Sequence, residues 1–151
     1  MKKKLLLVLL TIFNISCKEN IKSNITPNKT EIKFKDLDEI KSKPEIEMVE
    51  FLKRNNYSLL ETEYNNQWKS KTSEDIIQFN GNGVFVFFTY NIKTYNKLVF
   101  DLDKSPYKNL GKTIKKGLEV EMYVKDNETI FLTTIKHPQN GKQVYSITFL
   151  S

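Results

Sequence analysis

The residue types that do chemistry are few in this chain and far apart. There is one histidine, His137, one cysteine, Cys17, and one arginine, Arg54. A single histidine and a single cysteine cannot build a zinc site without several carboxylates, so no metal or cofactor is expected. His137 stands in His137-Pro138 beside Asn140-Gly141 and reads as a solvated loop residue, not a base or ligand. Asp101-Leu102-Asp103 lacks the glycine and distal glutamate of a calcium loop and reads as the end of a helix. Gly111-Lys112-Thr113 matches the close of a phosphate-binding loop, but Pro106 occupies the place of its first glycine, and the chain beyond Thr113 reads as strand. No Gly-x-Ser-x-Gly elbow exists. Paired carboxylates of the glycosidase type meet only in space, so a small hydrolase with a dispersed site stays open as a minor class. No catalytic residue is assigned.

The elements around these residues alternate between helix and strand. Ser42 and Glu45 have capping-box spacing, Pro44 suits a first turn, and Met48, Val49 and Leu52 make an apolar stripe ending at Asn55-Asn56. Asn91 can cap a second helix that runs to Lys104, with Ile92, Tyr95, Val99 and Leu102 on one face and Ser105-Pro106 as its stop. Extended segments follow each helix: 59–64, 67–71, 75–79 and 84–90 after the first, then 118–125, 129–136 and 143–150 after the second. Asn80-Gly81-Asn82-Gly83, Asp126-Asn127 and Asn140-Gly141 supply hairpin turns. Ile32-Lys33-Phe34 is either a short strand or the first ordered contact. The expected fold is α+β, a two-layer sandwich of an antiparallel sheet with two helices on one face. Phe51, Tyr57, Leu60 and Trp68 echo the spacing of Phe100, Tyr107, Leu110 and Leu118, so the halves read either as two copies of an αβββ unit or as two unrelated ones.

Layering of this kind makes the second sheet face informative. In 118–124, Leu118, Val120, Met122 and Val124 form the inward set, leaving Glu119, Glu121 and Tyr123 outward. In 84–90, Phe85 and Phe87 alternate with Val84, Val86, Phe88 and Tyr90, so both faces are apolar and the strand reads as central. With two helices on one side, the other apolar set either forms an aromatic patch with Trp68, Tyr90 and Tyr123 for a partner, or is covered by a curled sheet or by the 64–73 loop. Trp68, Tyr90 and Tyr123 are therefore the candidate binding residues.

The first 16 residues set the location. Lys2, Lys3 and Lys4 precede an apolar run from Leu5 to Phe13, and Ser16 stands before Cys17, the pattern of an export signal too short to span a bilayer. Asn14-Ile15-Ser16-Cys17 resembles the lipobox of bacterial lipoproteins. The resemblance implies cleavage before Cys17, acylation of its sulfur and membrane anchoring by several acyl chains. Lys18-Glu19 also resembles the charged tract that directs some lipoproteins to the cell surface. The expected division is a signal peptide over 1–16, a lipidated flexible tether over 17–31 and a single α+β domain over 32–151 in the bacterial cell envelope, periplasm-facing or at the surface. With Cys17 consumed by lipid, the domain rests on its core alone.

Without the leader's three lysines, 21 basic residues face 18 acidic ones, a mild excess carried by lysine. Nucleic-acid readers lean on arginine's bidentate contacts, so nucleic acid is not an expected partner. The expected function is a membrane-anchored protein-binding or assembly module, with an unknown protein or a second copy as partner. A second class is an inhibitor or immunity-type module, since tandem helix-plus-sheet units resemble the layout of β-lactamase inhibitory proteins.

Overall fold

The computed structural model describes residues 31–60, 66–80 and 83–150. The lipobox-like segment, Cys17 and the tether to Thr30 lie outside them. Among the described residues there are three helices and eight strands: α1 (Phe34–Ile40), α2 (Glu45–Arg54), β1 (Tyr57–Leu59), β2 (Gln67–Ser70), β3 (Ile76–Asn80), β4 (Val84–Thr89), α3 (Ile92–Asp103), β5 (Lys108–Lys115), β6 (Leu118–Lys125), β7 (Glu128–Lys136) and β8 (Gln143–Leu150). All strands join one antiparallel sheet in the order β1-β2-β3-β4-β8-β7-β6-β5. The fold is thus mixed α+β but dominated by sheet, with three helices where two were expected and a fourth strand, β5, in the second half.

Local chemistry accounts for the helix ends. The Asn91 side chain caps α3 by accepting from the backbone N–H groups of Lys93 (2.9 Å) and Thr94 (3.4 Å). The Ser42–Glu45 box does not form; α2 starts after Pro44, and its dipole is met by Glu45 and Glu47 at one end and Lys53 and Arg54 at the other. In α1, the Asp36 carboxylate reaches back to accept from the Lys33 N–H at 2.9 Å. Phe34, Leu37 and Ile40 give that helix one buried stripe at three-residue spacing. The β5–β6 hairpin closes on Lys116-Gly117, both at positive φ (53° and 79°), as a two-residue turn that follows strand twist requires.

The sheet separates two buried clusters. On the helix side, Phe34, Leu37, Ile40, Leu52, Leu98 and Leu102 meet strand residues from Trp68 and Ile77 through Phe85 and Phe87 to Ile130, Ile147 and Phe149. Phe34 stacks on Phe149, with ring centroids 5.9 Å apart. The second cluster, Ile76, Val84, Val86, Phe88 and Val144, contains no helical residue among those described. β4 is central and all six of its residues are buried, as its two-sided apolar pattern requires.

Candidate interaction surface

Two of the three aromatic candidates are not at the surface. Trp68 is 4 % exposed and Tyr123 1 % exposed, both in the helix-side cluster. The facing inferred for β6 is therefore inverted: Tyr123 points to the helices, while Val120 and Leu118 lie on the other side, where Leu118 packs against the second cluster. The reason lies in α3, whose last residue, Asp103, accepts a hydrogen bond from the Tyr123 hydroxyl at 2.7 Å and so satisfies the phenol under the helix. Burial and that carboxylate together push the Tyr123 phenol well above its ordinary pKa. Tyr90 is half-buried beside the second cluster. β2 and β6 stand five strand positions apart, roughly 24 Å along the sheet, so the three aromatics form no common patch.

His137 is buried, at 4 % exposure, where a solvated residue was expected. Its Nδ1 accepts from the Gln139 N–H at 3.3 Å, its backbone N–H donates to the Lys142 carbonyl at 2.7 Å, and its backbone carbonyl accepts from the Gly141 N–H at 2.9 Å. Tyr90 covers the ring with centroids 6.3 Å apart. Backbone bonds, joined by the one to Nδ1, thus fasten the β7–β8 connection at this residue. No group of three or more potential metal-binding side chains occurs among the described residues.

The densest polar cluster joins distant parts of the chain. Tyr107, 5 % exposed, shares its one hydroxyl proton between Asp38, at 2.9 Å, and Glu128. Lys41, with its side chain only 7 % exposed, reaches Glu128 at 2.6 Å and Asp38 at 3.2 Å. Burial would raise the Glu128 pKa, but hydrogen bonds from Lys41 and Tyr107 and the charges of Lys41 and Lys125 outweigh it and hold the carboxyl below its ordinary value. Burial, then the bonds to Glu128 and Asp38, push the Tyr107 phenol far upward. Every charge here has its counter-charge, so the cluster locks α1 to the α3–β5 connection and the start of β7. A shallow cleft of about 450 Å³ between α1 and α2 carries Asp36, Glu39, Lys43, Glu47, Glu50 and Arg54. There Arg54 pairs with Glu50 along α2, and Lys43, just before that helix, pairs with Glu47.

The open end of the sheet has a different character. Among the described strands β5 pairs only with β6, and seven of its eight residues are exposed, Lys115 being half-buried. A bulge at Asn109/Gly111 interrupts the ladder, and Gly111, at φ +84°, takes the left-handed conformation there. The Asn109 side chain stabilises the bulge by donating to Glu121 at 2.7 Å and accepting from the Gly111 N–H at 2.6 Å. Ile114 is 76 % and Leu110 49 % exposed. Register puts Lys112 and Ile114 on the helix-side face, opposite Glu121 and Glu119, with Lys112 bound to Glu119 at 2.8 Å. Thr113 and Lys115 lie on the other face, where the Lys115 ammonium sits 5.1 Å from the Phe131 ring centre. The opposite edge, β1, is only three residues long.

Comparison with family models, curated proteins and solved structures finds no match. The surface must therefore be read from its own chemistry. Its main-chain edge is eight residues long and dressed with Lys108, Lys112 and Lys115, Lys116 following in the turn, and no acid stands in 108–116. Sequence reasoning missed this strand because a strand exposed on both faces shows no alternation of apolar and polar residues. The available signal was the pair of turns around it, Ser105-Pro106 and Lys116-Gly117.

Proposed function

We propose that this chain is a lipid-anchored protein of the bacterial cell envelope whose folded domain is a protein-binding or assembly module. The long edge at β5 carries the reading: among the described residues its main chain pairs on one side alone, and the other side offers N–H and C=O groups of the kind that recognition by strand pairing uses. Lipidation of Cys17 would hold the domain at the membrane, and the tether would give it about 20 Å of reach. No helix among the described residues is long and apolar enough to cross a membrane, so anchoring by lipid is compatible with the domain's architecture.

The strand order supports a second reading, an inhibitor or immunity-type module. β1–β4 and β5–β8 are two four-stranded meanders that meet at the β4–β8 pair, each preceded by a helix. Tyr57 and Tyr107 are buried at equivalent helix-to-strand junctions, which fits duplication of a helix-plus-meander unit and the layout of β-lactamase inhibitory proteins.

Recovery of the native protein from gently solubilised envelopes, with Cys17→Ala as control, tests the proposal. A stoichiometric protein partner is the expected result. The chain recovered alone, in every detergent, would remove the binding-module reading.

A further inference from the structure

We infer that the β5 edge takes an acidic, extended segment of a partner protein, which adds to the sheet as a ninth strand. The inference rests on the protein-binding reading above and names the chemistry of its partner.

Two observations select this occupant. First, length: beyond the bulge, 111–115 keep an unbroken register over about 17 Å, enough for a strand-addition ladder, whereas β1 offers three residues. Second, charge: Lys108, Lys112, Lys115 and Lys116 fall within nine residues that contain no acid, although the chain as a whole carries 18 acidic residues. The lysines are distributed over both faces of the strand, Lys112 on the helix side and Lys108 and Lys115 on the other. Lys112 is already paired with Glu119, so a partner strand would meet positive charge on the face of Lys108 and Lys115 and the exposed Ile114 on the helix-side face. An alternation of Glu or Asp with Val, Ile or Thr satisfies that surface.

The same lysines argue against a second copy. Antiparallel pairing of two β5 strands would bring the lysines of one copy against those of the other, and like charges across a strand pair are destabilising. Lysine on this edge thus has two effects, refusing a copy of itself and accepting an acid-bearing strand. The neighbouring glutamates offset Lys112 alone, through the Glu119 pair and Glu121 opposite it; both lie on the helix-side face and leave Lys108 and Lys115 on the other.

The test uses the full-length protein and a ten-residue peptide alternating Glu and Val, with a Lys/Val peptide as control. The Glu/Val peptide should bind saturably, the control should not, and hydrogen exchange should slow at the amides of 108–115. Two further Glu/Val peptides, N-methylated at alternate residues in the two registers, separate strand pairing from charge attraction. One should bind like the parent and the other should fail, because only every second amide faces the edge. The variant Lys108→Gln/Lys112→Gln/Lys115→Gln, all surface changes, should lose about threefold per lysine, the scale of an exposed ion pair. No saturable binding, equal binding of both methylated peptides, or equal binding of the Lys/Val control would each overturn the inference. So would a wild-type dimer whose β5 amides are already protected, which would give the edge to a second copy. In the envelope pull-down, a partner retained by the triple variant would sink the β5 assignment while leaving the binding-module reading intact; a partner recovered by neither protein would sink that reading itself.

Discussion

Tyr107, Lys41, Asp38 and Glu128 show how much of this domain's order depends on single side chains. Tyr107→Phe removes the hydroxyl that bridges two carboxylates while keeping the ring's edge contact with Phe34, so the loss is that of buried, charge-assisted hydrogen bonds, about 1–3 kcal/mol by urea denaturation. Lys41→Met leaves Asp38 and Glu128 facing each other without their cation; both carboxylates are more than a quarter exposed, so about 1–3 kcal/mol is expected and not the larger cost of a fully buried pair. The cluster also sets an acid limit. Because the folded-state pKa of Glu128 lies below the ordinary 4.5, its stabilisation is complete above that value and disappears as pH falls through the lowered folded one. Glu128→Gln should flatten the acid limb of a stability-versus-pH curve measured by chemical denaturation, and an unchanged limb would show that other carboxylates dominate it. At the alkaline end the sign reverses. Burial, aided by Glu121, lifts the Tyr95 phenol to about 12, and Tyr57, Tyr107 and Tyr123 are held higher still. Unfolded phenols ionise near 10, so stability should fall as pH rises beyond that, with Tyr95 absorbing as phenolate at 295 nm only near 12 and the other three only on unfolding.

At the scale of the element, the β5 bulge and the α3 cap are the points where backbone conformation is specified by one residue. Nothing lies within 4 Å of a Cβ built on Gly111, so Gly111→Ala meets no clash and its cost is conformational alone. At φ +84° that cost is about 1–2 kcal/mol, read as a lower urea midpoint with an unchanged slope. Asn91→Ala should cost about 1 kcal/mol through loss of the α3 cap. Asn91 was legible as a cap because its role depends on the next three residues. The two-sided apolar run of β4 was legible for a similar reason, since a central strand carries its burial in its own sequence. α1 was not: Phe34, Leu37 and Ile40 repeat too briefly to separate one helical turn from a strand. β5 was not legible as a hairpin strand either, because its conformation comes from the β6 ladder and leaves no hydrophobic trace.

For the whole molecule, Cys17→Ala should release the protein from membranes while leaving its urea midpoint unchanged, since the proposed tether separates Cys17 from the folded domain. Membrane retention of that variant in a carbonate wash would remove the lipid anchor from the proposal. The sequence by itself determined the α+β character, the cap of α3 and the central place of β4, because each depends on neighbours along the chain or on burial that a strand records itself. The tertiary structure alone decided that the eight described strands share one sheet, that β5 ends it and that Trp68 and Tyr123 lie beneath helices. Alternation along a strand reveals which residues share a face; which face meets the helices is set by packing between segments remote in sequence. At Tyr123 that choice came from Asp103 on α3, a contact twenty residues away that no local pattern encodes.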